Sequence, residues 1–341
     1  MSCKSPIFFI LCLLIIPELS FSQDFTLYLT GNKNDTITAP LGGICMMGGR
    51  RENNEAMKWF LNRANGGDIV ILRASGSDGY NEYLFSELNM ELNSVTSIVF
   101  HNRNASYNDT ILQLVDNAEA IWMAGGNQWN YVQFWRDSPI DSIINHNIIY
   151  KNIAIGGTSA GMAVLGDYYF LASAGTVTSE ECLSNPVTDK ITVDTTPFFN
   201  LPILSHVITD THYEERNREG RHMTFLLRIW TDFNQQSNGI ACDEYTSLCI
   251  DNHGLARAYG NYPERDDHVY FLKFNKLPST AIFEDTPLKS RIDKSSLKVY
   301  KLPGTNDGSY SFNLNNWMEG IGGEWFLWEI DNGSLIMKKT P

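Results

Sequence analysis

The 341-residue chain predicts an α/β fold, a mostly parallel sheet flanked by helices with a small C-terminal β appendage. Three observations carry this expectation. From Gly42 to about Leu165, short apolar runs rich in Ile, Val and Ala alternate with amphipathic stretches. That order of strand and helix implies parallel strands joined by crossovers. The amphipathic stretches themselves show helical spacing, with Ala56, Met57, Phe60 and Leu61 on one face. After about Asp267 the texture changes to short alternating or aromatic-rich runs broken by Gly, Asn and Pro.

The elements follow in order. The N-terminal segment, with Lys4, an apolar run from Ile7 to Ile16 and Pro17 to Ser22, has the layout of a signal peptide over residues 1–22. The run is too short to span a bilayer, so a cleaved leader and a secreted or periplasmic protein are expected. Thr26 to Thr30 alternates and reads as an extra strand ahead of the core. Strands are then expected at Ile44 to Met47, Asp68 to Ala74, Ser94 to Phe100, Ala118 to Ala124 and Asn152 to Gly156. Helices are expected at Asn53 to Ala64, Asp109 to Val115 and Ser138 to Ile149. Two further apolar runs, Ile203 to Ile208 and Gly239 to Ile250, flank a helix from about Arg221 to Phe233. The appendage would carry strands at His268 to Phe274, Leu297 to Leu302, Ser309 to Leu314 and Trp325 to Ile330. The resulting division is a catalytic domain over 23–266 and a β-rich part over 267–341.

Composition narrows the function. The formal charge is −13, unchanged by losing Lys4 with Glu18, which argues against a nucleic-acid partner. Outside the leader no segment is long and apolar enough for a membrane span. Cys45, Cys182, Cys242 and Cys249 allow two disulfides or buried free thiols, and no Cys-x-x-Cys spacing suggests a metal. No metal or cofactor is expected, and self-association as a homodimer is compatible with the sequence.

The strongest chemical signal is Gly157-Thr158-Ser159-Ala160-Gly161, a G-x-S-x-G match between an expected strand and an expected helix start. Small neighbours suit a nucleophile on a sharp turn, and the Ala160 N–H is the natural first donor to an oxyanion. The bland alternative is a glycine-rich turn with an incidental serine. Of the seven histidines, His212 follows an expected strand end and is the candidate base; His206 and His101 are weaker rivals. Asp243 and Glu244 compete for the orienting acid, and spacing does not choose between them. Gly125-Gly126-Asn127-Gln128 ends another expected strand and can offer an N–H or an amide. Arg216, Arg218 and Arg221 suit a substrate carboxylate, or equally a surface segment compensated by Glu214, Glu215 and Glu219.

In order and separation, Gly-Gly-Asn-Gln, Gly-Gly-Thr-Ser-Ala-Gly, Asp-Thr-His-Tyr with its spaced arginines, and Gly-Ile-Ala-Cys-Asp-Glu resemble the cyanophycinase branch of the S51 serine peptidases. The resemblance spans roughly Gly42 to Asp251. It implies a class I glutamine-amidotransferase-like, flavodoxin-related fold, with Ser159 as nucleophile, His212 as base and Glu244, rather than Asp243, as orienting acid. It also implies oxyanion donors at Ala160 and Gly126, and a substrate pocket lined by Gln128, Thr158, Asp210, Arg216, Arg218 and Arg221. The chain departs from the family pattern at Asn127, Thr211 and Tyr213, where the family usually has Asp, Gln and Phe. Glu180 to Pro186 resembles a further family block with no assigned role. The expectation is a secreted serine exopeptidase acting on a peptide or isopeptide, through aspartyl or β-aspartyl bonds such as those in cyanophycin. An esterase or amidase on the same elbow, and a retired hydrolase kept as a binding protein, are the alternatives.

Overall fold

A parallel strand buried on both faces reads as a near-continuous apolar run, because helices cover either side. Five runs in this chain approach that pattern, although Ser94, Thr96 and Ser97 are buried polar residues within one of them. The computed structural model describes residues 23–277, 296–331 and 333–340, and the expected leader at 1–22 lies outside them. In chain order the first elements are β1 (Phe25–Gly31), β2 (Gly43–Met47), α1 (Asn54–Asn62), β3 (Asp68–Arg73), β4 (Ser94–Phe100) and α2 (Asp109–Asn117). There follow β5 (Ala120–Met123), α3 (Gln128–Trp135), α4 (Pro139–His146), β6 (Ala154–Thr158) and α5 (Ala160–Ala163). Next come β7 (Tyr169–Phe170), α6 (Ser179–Ser184), β8 (Val193–Asp194), β9 (Val207–Asp210) and α7 (Glu219–Phe233). The remainder is strand: β10 (Asn238–Cys242), β11 (Ser247–Ile250), β12 (Leu255–Tyr259), β13 (His268–Lys276) and β14 (Ser296–Pro303), then β15 (Ser311–Asn313), β16 (Gly320–Ile321), β17 (Glu324–Asp331) and β18 (Ser334–Lys339).

The larger sheet has the order β1-β4-β3-β5-β6-β2-β11-β12-β15-β16. Its centre, β4 to β2, is parallel, while β1 on one side and β11 onward on the other add antiparallel edges. Successive residues of each central strand feed opposite layers. Ile44, Met46, Val70 and Leu72 pack under α2, α3 and α4, whereas Cys45, Met47, Ile69 and Ile71 pack under α1. The smaller sheet has the order β18-β17-β14-β13-β10-β9, with β9 and β10 parallel. The β-rich C-terminal part therefore extends both sheets, β15 and β16 in one and β13, β14, β17 and β18 in the other.

Two features place the site. The chain leaves β10 of the smaller sheet at Cys242 and enters β11 of the larger at Ser247, so Asp243 to Thr246 form the crossing turn. The carboxyl ends of β2 and β6 face that turn, the crevice in which open α/β sheets hold ligands.

Some boundaries differ from expectation for local reasons. Ile203 does not begin a strand: Pro202–Leu204 is a 3₁₀ turn, and His206 takes a left-handed φ of 57° before β9 starts. The run Gly239 to Ile250 is two strands in two sheets. β6 starts at Ala154 because Asn152, with φ 54°, ends the π-type turn after α4. The helix α3 was not expected; its aromatic residues Trp129, Tyr131, Phe134 and Trp135 surround the axis and leave no clean apolar stripe. Cys45, Cys182, Cys242 and Cys249 are buried free thiols.

Candidate active site

Ser159 sits between β6 and α5, and the residues two positions to either side of it, Gly157 and Gly161, must be glycine. A Cβ on Gly157 would lie 2.6 Å from the Gly161 carbonyl carbon, and one on Gly161 would lie 2.7 Å from that of Met123. Ser159 itself holds φ 52° and ψ −112°, outside the favoured regions. Such a conformation costs on the order of 1–3 kcal/mol and persists only where surrounding bonds impose it. Here the Ser159 N–H donates to the Met47 carbonyl at 3.0 Å, and its own carbonyl accepts from Ala163 at 2.9 Å.

The Ser159 hydroxyl lies 2.7 Å from His212 Nε2, and His212 Nδ1 lies 2.6 Å from Glu244 Oε1. His212 follows β9 in a left-handed conformation, φ 47°, its N–H donating to the Gly48 carbonyl at 2.9 Å. The imidazole rests on Gly49, where a Cβ would come 2.6 Å from Nε2. Glu244 Oε2 accepts from Arg50 Nε at 2.8 Å, and the Arg216 guanidinium stands 3.9 Å from Oε1. Burial would raise the Glu244 pKa, but the bonds from His212 and Arg50 outweigh it and hold the carboxyl below its usual range. Burial, aided by the nearby Arg216 and Arg218 charges, pushes His212 down to about 4 against the opposing pull of Glu244. At neutral pH the pair is thus carboxylate and neutral imidazole. With Nδ1–H directed at Glu244, Nε2 is left to accept the serine proton.

Asp243 does different work. Its Oδ1 accepts the Glu214 N–H at 2.9 Å and its Oδ2 the His268 N–H at 3.0 Å. In return, the Glu244 N–H donates to the Glu215 carboxylate at 3.0 Å. The loops bearing His212 and Glu244 therefore clamp each other, each giving an amide hydrogen and each receiving one. Glu214 is held in turn by the Tyr270 hydroxyl and by Lys301 Nζ at 2.7 Å, both from the C-terminal strands. The rival histidines lie elsewhere: His101 pairs with Thr26 Oγ1, and exposed His206 pairs with Tyr168.

Beside Ser159 and His212 lies a cavity of about 320 Å³ lined by Gly126, Gln128, Ala160, Asp210, Arg216, Arg218 and Arg221. Asp210 and Arg221 are committed to each other, with Arg221 Nε 2.8 Å and an amino group 2.5 Å from the carboxylate. Burial alone would raise the Asp210 pKa, but Arg221 and then Arg218 hold it at about 2. Arg218 donates to the Thr211 carbonyl at 2.7 Å and to its hydroxyl at 3.1 Å; burial brings its pKa down to about 10. With Asp210 offsetting Arg221, Arg218 and half-exposed Arg216 leave the cavity cationic in an acidic protein. Gln128 Nε2 bonds the Phe170 carbonyl at 3.3 Å, and Asn127 caps α3 through the Trp129 N–H. Thr158 lies apart from this group, on a second cavity across Ser159, with its hydroxyl buried and without a bonding partner. Arg50 and the Gly48-Gly49 pair were absent from the sequence expectations. Among the described residues no cluster of three or more His, Cys, Asp or Glu is placed to hold a metal.

Comparison with known proteins gives the family of the chain. The model of peptidase family S51 matches residues 45–257. A cyanophycinase of Synechococcus elongatus is 25% identical over 227 residues, covering 64% of this chain and 66% of that protein, just under two thirds of its length. A cyanophycinase of Trichormus variabilis is 23% identical over 235 residues, 66% of this chain and 73% of that protein. Among solved structures, a peptidase from an acI-B1 actinobacterium superposes with a TM-score of 0.49 at 15% identity, over 81% of this chain and 98% of its own.

Proposed function

Because the chain belongs to peptidase family S51, we propose that it is a secreted serine exopeptidase that hydrolyses aspartyl or β-aspartyl bonds, such as those of cyanophycin. The observation that carries this reading is the continuous hydrogen-bonded line from Ser159 through His212 to Glu244 at the mouth of a cationic cavity. Ser159 Oγ attacks the scissile carbonyl while His212 Nε2 takes its proton, and the imidazolium so formed is stabilised by Glu244. The Ala160 and Gly126 N–H groups receive the oxyanion; one such donor is worth about 3–4 kcal/mol in hydrolases of this chemistry. His212 then protonates the leaving amine, and a water it deprotonates releases the acyl group from Ser159. Arg218 and Arg216 suit the free carboxylate of an aspartyl residue, since a forked guanidinium binds carboxylate in two parallel bonds.

The test is mass spectrometry of products from cyanophycin and from α- and β-aspartyl dipeptides. Wild-type protein should release aspartyl products, and Ser159→Ala should lower turnover by about 10³-fold or more. Retention of wild-type hydrolysis by that variant would sink the reading.

A further inference from the structure

A second cavity, of about 670 Å³, lies across Ser159 and His212 from the aspartyl-side cavity. If the acyl part of a substrate occupies the smaller, arginine-rich cavity, the leaving group emerges into the larger one. Arg50, Arg51 and Arg73 line that space, with Glu52 and Glu87 as the opposing charges. The Glu52 carboxylate is already engaged by the Tyr80 hydroxyl, and Glu87 is exposed. Arg73 is pinned by the carbonyls of Ser75 and Ser77 at 2.6 and 2.5 Å, so its guanidinium is pre-positioned. Arg50 is the more telling residue. It holds φ 73°, a left-handed conformation unusual for an arginine, and spends only its Nε on Glu244 Oε2. Its side chain remains 63% exposed. Backbone strain of this kind gathers where a side chain must be aimed.

We propose that this cavity is a leaving-group subsite for a carboxylate, in which Arg50 and Arg73 receive the anion while Arg50 keeps Glu244 in register with His212. The proposal rests on the serine-peptidase reading and adds to it the chemistry of the departing half: an amine whose carbon skeleton ends in a free carboxylate. Arg50 is in this scheme both a binding residue and a positioning residue for the acid.

The experiment compares kcat/KM for aspartyl-alanine with that for aspartyl-alaninamide, in α and β linkage, in wild type, Arg50→Gln, Arg50→Lys, Arg73→Gln and Ser159→Ala. Wild type should prefer the free carboxylate by at least about tenfold, the usual scale for one charge-assisted hydrogen bond. Arg73→Gln and Arg50→Gln should bring that ratio towards one, chiefly through KM for the free acid, and Arg50→Lys should restore part of it. Equal use of acid and amide by wild type overturns the subsite. So does a loss in Arg50→Gln that is the same for both substrates, which would leave Arg50 a support for Glu244 alone. Cleavage that survives Ser159→Ala, or no cleavage of any of the four peptides, removes the peptidase reading and the subsite with it.

Discussion

Ser159 and His212 share an uncommon backbone, φ 52° and φ 47°, although neither is a glycine. Each is forced there by a bond to the strand β2 and its turn, Ser159 to Met47 and His212 to Gly48. The imidazole that results is buried, and its proton affinity is low. In the proposed mechanism the neutral form is the base, so kcat/KM should rise with pH through about 4 and stay level across neutrality. A kcat/KM profile from pH 3 to 9 checks this; an acid limb near the ordinary histidine value of about 6.5 would mean that water reaches the ring. The Ser159 turn was legible in the sequence because it is local: strand, serine and glycines lie within the eight residues from Ala154 to Gly161. His212 was legible as a histidine past a strand end. Between Asp243 and Glu244 spacing did not choose, and only the resemblance pointed to Glu244, since both stand on the crossing turn and both are fully employed, one on backbone amides and one on His212.

At the scale of elements, the glycine pair after β2 is the seat on which the site is assembled. The Gly48 carbonyl holds the His212 amide, its N–H donates to Thr246 at 3.0 Å, and the Gly49 carbonyl accepts from Tyr245 at 3.0 Å. Gly49 has φ 126° and no room beneath the imidazole. Gly49→Ala should therefore displace His212 and cut kcat/KM by on the order of 10²-fold, as small misplacements of a reacting group do. Gly66→Ala is the control: it also has positive φ, 82°, but its Cβ would meet only the Glu91 carbonyl at 4.0 Å. That variant should lose about 1 kcal/mol of stability and keep its kinetics. If both variants behave alike, the clash with His212 is not what matters. No sequence motif announces this pair, and Arg50 reaches Glu244 across 194 positions of chain. Contacts of that separation are made by sheet order, which spacing does not encode.

At the scale of the molecule, the site is divided between the two sheets. Ser159 belongs to the larger sheet, His212 to the smaller, and Glu244 to the passage from one to the other. The alternation of strand and helix made the parallel centre readable in advance, and the aromatic texture after Asp267 made the later strands readable as strands. What periodicity could not convey was their destination: β13 beside β10, and β15 beside β12. That placement lets Tyr270 and Lys301 grip Glu214, while Tyr213 packs against Tyr270 and Trp328 with ring centres 4.9 and 6.5 Å apart. The crossed amides of Glu214 and Glu244 have a kinetic consequence. Neither loop can open to solvent without breaking the bond that closes the other, so the two should exchange hydrogen with deuterium as one cooperative unit. Residue-resolved exchange should give these amides, thirty positions apart in sequence, a common protection; rates differing by more than about tenfold would show two independent openings.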